Sequence, residues 1–505
     1  MTAPVSADAF PAPPTGGWDL LVVGGGTAGI VAAKTAAGFG ASVLLVERER
    51  MGGDCLWTGC VPSKAILSAA AKAATARRSS AHGVHVDSVE VDFPAVMKHV
   101  RTAVATIEPA DSVEAMEAAG VRVGTGDLTF TGRRTARVGG TEIAFRQAVL
   151  AMGASPAVPP VPGLADAVAS GHALSSDTVW DLADLPARLV VLGGGSIGCE
   201  LGQAFARLGA AVTVLDAAPG LLPREDPDAA AVVTDALRED GITVLTGAAV
   251  RRVVPNTAHG ATGAVPGAGG RLVLDGDVEL VYDRLLVAVG RSPRTTGLGL
   301  DAAGVHVDAR GVVVVDKALR TDNPRIWAAG DITGHPQFTH TAGVHASTAA
   351  SNAVLGLRRA AQTTAIPRVT FTEPEVAAVG VPATAAEGRP GWRVVTRWHH
   401  EVDRAVAEAD TAGFARLVLD GKGRVRGATV VGPRAGESLA ELVLAVRLGL
   451  RSRDLAGTVH AYPTYGDGPW NAAIADVRAQ LAAPRAAWAV GVLVTLRRRW
   501  LGLRR

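Results

Sequence analysis

Cysteine is scarce, with three in 505 residues at positions 55, 60 and 199. That excludes a secreted scaffold stapled by disulfides. A basic start is also missing. No Lys or Arg precedes Lys34 and no apolar segment follows Met1, so no secretory signal is expected, and the Pro/Ala-rich residues 1–16 read as a disordered leader. Long hydrophobic runs are absent: the longest late one, Ala486 to Leu496, has eleven residues, too few to span a bilayer. Strong net charge is lacking as well. The total is +2, and it becomes −3 without Arg497, Arg498, Arg499, Arg504 and Arg505 of the last nine residues. A basic nucleic-acid-binding body is thereby excluded. A cytoplasmic, reducing location is expected, and no resident metal.

What is present is a globular composition, 48% hydrophobic and 19% charged, in a chain long enough for two to four domains. An internal repeat organises it. From Trp18 the chain reads WDLLVVGGGTAGIVAAKTAAGFGASVLLVE; from Arg188 it reads RLVVLGGGSIGCELGQAFARLGAAVTVLD. Each copy is an apolar strand, a glycine turn, a helical stretch and a second apolar strand. Gly24, Gly26 and Gly29 form one GxGxxG, and Gly193, Gly195 and Gly198 the other. In each, an acid, Glu47 or Asp216, stands 23 residues after the first glycine. A single GxGxxG is a weak signal. Two between strand and helix, each with a ribose-binding acid at the same offset, predict two Rossmann-like dinucleotide sites. The helix N-termini would supply free N–H groups to the phosphates.

Helices are predicted over Pro62 to Arg78 and Pro94 to Ala119, and a hairpin excursion around the Gly/Ala-rich stretch Gly260 to Gly270. After Ala365 come short β-rich runs (RVTFT, WRVVTRWH, FARLVLD, RVRGATVV) and a helix over Gly436 to Gly449. That mixture predicts an α+β third domain.

Between the nucleotide folds lies GGDCLWTGCVPSK, Gly52 to Lys64. Cys55 and Cys60 sit where a glycine loop enters a helix marked by Pro62. On an ideal helix, positions five apart point about 140° from each other. Pairing them requires a distorted first turn, which Gly59 permits. A helix start and the nearby Lys64 favour a reactive thiolate; the competing reading is two inert buried cysteines.

This segment resembles the GGxCxxxGCxPSK signature of the pyridine nucleotide-disulfide oxidoreductases, of mercuric reductase and dihydrolipoamide dehydrogenase type. The likeness runs from about Gly17 to Gln480 and includes AMGASP at Ala151 (with Met152 where the family more often has Thr), AVGRSPRT at Ala288, RIWAAGDITG at Arg325 and FTEPEVAAVG at Phe371. The resemblance implies an α/β fold of two Rossmann-like domains, for FAD (17–163 and 292–362) and for NAD (164–291). An α+β dimerisation domain (363–478) would follow, then a basic amphipathic tail (479–505). It implies a homodimer whose active site is completed across the interface. Cys60 would be the thiol facing the flavin and Cys55 the interchange thiol. Lys64 would pair with Glu200 beside the flavin, and Asp331 would hold the ribityl chain. The cofactor-binding set extends to Gly53, Gly126, Gly153 and Gly290. Cys199 has no motif partner and reads as a small buried residue. Asp216, with no Arg from Ala217 to Leu222, favours NADH over NADPH.

One stretch departs from the family. Its catalytic His–Glu pair falls here on HAYPTYGDG, His460 to Gly468, with Tyr462 at the His position and Asp467 at the Glu position. Tyr, with an ordinary pKa of about 10, is a poor base near neutrality, and His460 aligns with a non-catalytic His. Mercuric reductases share the Tyr but also use a C-terminal cysteine pair, and no cysteine follows Cys199. The acceptor is left among a metal ion such as Hg(II) or Cu(II), a quinone, and a disulfide. The tail, apolar and then LRRRWLGLRR with Trp488 and Trp500, suits either contact with an anionic membrane face or packing on the dimer. From a different class, the chain could be a catalytically weak flavoprotein serving as an assembly subunit; a retained Cys55, Cys60, Lys64 and Glu200 argues against it.

Overall fold

The computed structural model describes residues 11–12, 14–15, 17–256 and 269–503. Most of the expected leader, nearly all of the Gly260 to Gly270 loop and the last two arginines lie outside the described residues. The chain divides into two units, 1–219 with 241–363, and 220–240 with 364–505.

In the first unit, one seven-stranded sheet is built around Trp18–Val23, flanked in parallel by Val43–Glu47 and Thr141–Leu150. Val121–Thr125 and Ile326–Ala328 extend the parallel part outwards. Helices cover both faces of a parallel sheet, so its strands are near-continuously apolar; LLVV of the first strand is fully buried. Thr141–Leu150 shows the rule changing within one strand. Its first half alternates buried and exposed, where it pairs antiparallel with Thr135–Val138. Its last three residues are all buried, where parallel neighbours flank it on both sides.

The second repeat gives an all-parallel five-stranded sheet in the order Thr243–Thr246, Ala211–Asp216, Arg188–Leu192, Arg284–Val287, Ala173–Ser175. An antiparallel three-stranded sheet follows, in which Val250–Pro255 pairs with Gly270–Leu274 around the undescribed loop. The expected helix over Pro94 to Ala119 is two helices, Phe93–Ile107 and Val113–Ala118. Pro109 sits in the 3₁₀ turn between them, and Ser112 Oγ caps the second by accepting from Ala115 N at 3.2 Å.

The second unit is an antiparallel five-stranded sheet in the order Arg368–Thr370, Glu375–Gly380, Val425–Gly432, Phe414–Leu419, Arg393–Trp398. Helices Ala440–Leu448 and Asp467–Ala482 carry residues of its core, including Leu442, Ala445, Ala472 and Ala473. Residues 220–240, with helix Pro227–Glu239, group with this unit. There Arg416 binds both carboxylate oxygens of Asp226 at 2.8 Å and Asp228 at 2.7 Å, and Arg368 binds Glu225.

Candidate active site

The two glycine turns are superimposable in their bonding. Gly24 and Gly193 have φ of 104° and 116°. A Cβ on Gly29 would lie 1.8 Å from the Gly24 carbonyl oxygen, and one on Gly198 1.9 Å from that of Gly193, so only glycine lets helix meet turn. Helices Thr27–Gly38 and Ser196–Leu208 start at Gly26 and Gly195 with no side-chain cap. A helix start without a side-chain cap is the arrangement that receives a phosphate. Glu47 accepts from Gly25 N at 2.6 Å and Glu49 N at 2.9 Å; Asp216 accepts from Gly194 N at 2.6 Å and Ala218 N at 2.7 Å. Each acid is locked at its strand end in the same way. Two uncapped helix starts, each beside a fixed carboxylate, fit two dinucleotides.

The remaining predicted glycines serve the backbone around these cradles. Gly53 faces Gly26 so closely that a Cβ would fall 2.6 Å from the Gly26 Cα. Gly126 N donates to Glu47 O at 2.9 Å. Gly153 and Gly290 flank the short antiparallel pair Ala154–Pro156 and Arg291–Pro293.

The dithiol is made by a broken helix. Gly53–Trp57 ends at Thr58, and Cys60–Arg78 starts afresh after Gly59, whose φ of −116° and ψ of −108° are not helical. A side chain on Gly59 would meet the Asp54 carbonyl oxygen at 2.9 Å. This tight return brings Cys55 and Cys60, both free thiols, into a shared hydrogen bond. The bond from Cys55 is the main influence holding Cys60 below the ordinary thiol range. Thr339, 3.2 Å from Cys60 Sγ, and the Lys64 ammonium act in the same direction against burial. Cys55 is pushed up, by the same bond and by burial. The pairing favours the thiolate at Cys60 and the protonated thiol at Cys55.

Lys64 lies one turn beyond Cys60 and donates to Glu200 at 2.9 Å. Its side chain is 40% exposed and that of Glu200 only 8%. Cys199 is buried, and burial followed by Glu200 and Asp216 pushes its thiol up to about 12; it is chemically inert.

Sequence reasoning missed a charge cluster behind Cys55. Arg291 binds Asp54 and the Ala154 carbonyl, and lies 3.7 Å from Asp177 and 4.0 Å from Asp331. Arg294 lies 3.3 Å from Asp54. Burial raises the Asp331 carboxyl, an effect Arg291 opposes. Trp180 donates to Thr58 O at 2.9 Å, tying the loop between the cysteines to the segment before the second repeat. Asp54 inside the signature and two arginines in AVGRSPRT were the available signals.

The second unit holds the departing loop. Tyr462 and Asp467 bond to different partners. The exposed Tyr462 hydroxyl donates to Asp403 at 2.6 Å, which raises it further above its ordinary range. Asp467 is buried at the start of its helix and accepts from Thr464 N at 3.1 Å. One oxygen of Asp467 is thus held by its own turn, and the other, Oδ1, is buried with no hydrogen-bond partner. His460 is engaged by Glu441 at 2.8 Å and the Thr458 carbonyl at 3.0 Å, and stacks on Trp470. Among the described residues, no three His, Cys, Asp or Glu side chains are grouped to hold a metal ion.

Family comparison agrees with this geometry. Residues 18–346 match the pyridine nucleotide-disulphide oxidoreductase model, and residues 366–473 match the dimerisation domain of the same family. The chain is a pyridine nucleotide-disulphide oxidoreductase. Among its relatives, a mercuric reductase of Streptomyces lividans is 37% identical, over 89% of this chain and 94% of that one. A dihydrolipoyl dehydrogenase of Chlamydia muridarum is 33% identical, over 89% and 95%. The Cu(II) complex of the HOCl-induced flavoprotein disulfide reductase RclA from Escherichia coli superimposes with a TM-score of 0.80 at 27% identity, over 90% of this chain and 99% of that one. The oxidoreductase is therefore a flavoprotein of an FAD-dependent, NAD(P)H-using family with a redox-active disulfide, and its dimerisation domain implies a homodimer.

Proposed function

We propose that the protein oxidises NADH and delivers the electrons, through Cys55 and Cys60, to a soft metal ion such as Hg(II) or Cu(II). Bound FAD supplies the two-electron relay between nicotinamide and sulfur. Gly24, Gly26, Gly29, Gly53 and Glu47 would hold FAD, with Asp331 at its ribityl chain. Gly193, Gly195, Gly198 and Asp216 would hold the nicotinamide nucleotide. With both its oxygens bonded to backbone N–H groups, Asp216 is a fixed anion that repels a 2′-phosphate, which supports NADH over NADPH.

The observation that carries the acceptor class is the bonding of Tyr462. Reduction of an organic disulfide needs a group that gives a proton to the departing thiolate and removes one from the attacking thiol near neutrality. In this reading the His460–Gly468 loop completes the site across the homodimer. Its Tyr462 hydroxyl is already committed to Asp403, and its His460 to Glu441. A soft metal ion needs no such group, because it binds the sulfurs directly and displaces their proton. The balance is NADH plus Hg(II) giving NAD⁺, one proton and Hg(0), or two Cu(II) giving two Cu(I). A quinone reduced directly at the flavin is the second acceptor, favoured by the apolar, arginine-rich tail.

The test is steady-state NADH oxidation with mercuric ion, cupric ion, quinones, lipoamide and glutathione disulfide, on wild type and Cys55→Ala. Metal turnover lost in Cys55→Ala supports the reading. Lipoamide or glutathione disulfide turning over faster than any metal would overturn it. Should NADH fail to make Cys55 of the oxidised protein open to alkylation, the chain is an assembly subunit instead.

A further inference from the structure

The helix Pro484–Gly502 has no buried residue, although eleven consecutive apolar or small residues, Ala486 to Thr495 with Leu496, make up its first half. Trp488 is 73% and Leu493 66% exposed; Val490, Val492, Val494, Leu496, Trp500 and Leu501 are exposed too. At 100° per residue, Trp488, Val492 and Leu496 fall on one side and Val490, Val494 and Leu501 on the opposite one. A helix that is apolar all round needs cover on every side. Docking against one flat protein face would leave half of it in water, whereas lipid acyl chains surround it.

Charge selects the kind of lipid. Arg485, Arg497, Arg498 and Arg499 lie in this helix, Arg504 and Arg505 follow it in the sequence, and no acid follows Asp476. The Arg497 guanidinium stacks over the Trp500 ring at 4.2 Å, a pair suited to the level of head groups. Among the described residues no single helix is long and apolar enough to cross a membrane; Asp467–Ala482 and Pro484–Gly502 reach that length only together, bent by 78° at their junction. Eleven residues at 1.5 Å each reach about 16 Å, roughly one leaflet. The segment also stands apart from the redox machinery. The family models end at residue 473, and relatives matched over 94–95% of their own length leave about a tenth of this chain unmatched.

We propose that Pro484–Gly502 anchors the protein on membranes bearing anionic phospholipid, its apolar half in the outer acyl region and its arginines on the phosphates. This surface is independent of the electron acceptor and would persist if the metal reading fell.

The experiment is co-sedimentation of the full-length flavoprotein with vesicles of phosphatidylcholine alone and of phosphatidylcholine mixed with phosphatidylglycerol. Binding is expected to the mixed vesicles only and to fade in high salt. The triple variant Arg497→Gln, Arg498→Gln, Arg499→Gln should bind about a hundredfold more weakly, at about fivefold per arginine. A chain ending at Ala483 should stay in the supernatant and oxidise NADH at the wild-type rate. Equal binding to both vesicle types, no binding, or undiminished binding of the shortened chain each overturns the proposal. So does a shortened chain that sediments as monomer where the full chain is a dimer, since a second copy would then be the occupant.

Discussion

The two glycine cradles share a backbone and differ in what stands over them. In the first, Gly25 has Met51 Sδ within 2.6 Å of where a Cβ would be, and Gly53 presses against Gly26. In the second, the space beside Gly195 is open for 4 Å. One fingerprint is roofed by the chain that runs on into the dithiol; the other is left accessible. The first geometry suits a group that stays, the second a substrate that comes and goes. One sequence motif thus serves retention and exchange, and the distinction resides in its neighbours.

The comparison can be broken most sharply at Gly53. Gly53→Ala places a methyl on backbone that cannot withdraw, at a φ of 61°. The purified variant should hold at least about tenfold less flavin, read from visible absorbance per protein. Gly195→Ala should keep its flavin and raise the KM for NADH, because the added methyl would stand where the pyrophosphate approaches the backbone. Equal flavin loss in both would dissolve the distinction. Next in size, Asp216→Ser should cut the preference for NADH over NADPH about tenfold, as kcat/KM, and leave flavin content alone.

A third test concerns the sulfur between the cradles. Cys60 is held down to about 6, chiefly by Cys55, with help from Thr339 and Lys64. The thiolate is the reactive form, so alkylation of the reduced protein at Cys60 proceeds above that pH and dies away below it. In Thr339→Val the decline should set in about one pH unit higher, and in Lys64→Met likewise. An unmoved profile would show that neither group tunes the sulfur. The smallest effect is reserved for Tyr462→Phe: metal turnover should change less than about twofold, whereas a general acid or base would cost about a hundredfold or more.

The cradles and the cysteine pair were legible in the sequence because local spacing encodes them: glycine offsets, an acid at a fixed distance, two cysteines about a glycine at a helix start. The Lys64–Glu200 contact, between residues 136 apart, was reached only through the family resemblance. The Asp54–Arg291 contact was not, since residues 237 apart leave no periodic trace. Helix Asp467–Ala482 hid behind the turn-like run GDGPW and an alanine-rich face with little apolar contrast. The Tyr462–Asp403 contact left no trace either: position in a motif says where a residue stands, and these two are 59 residues apart. Strand Glu375–Gly380 was visible only as part of FTEPEVAAVG, whose small alanines lack the bulk that marks a strand.

Residues 220–240 carry a consequence for how this molecule is assembled. Arg416 is covered and depends on Asp226 and Asp228, which the ribosome makes almost two hundred residues earlier. The C-terminal sheet therefore cannot mature as an independent module. A gene split after Thr363 would strand a guanidinium without its counter-ions, and swapping this half between homologues would succeed only if the distant helix travelled with it.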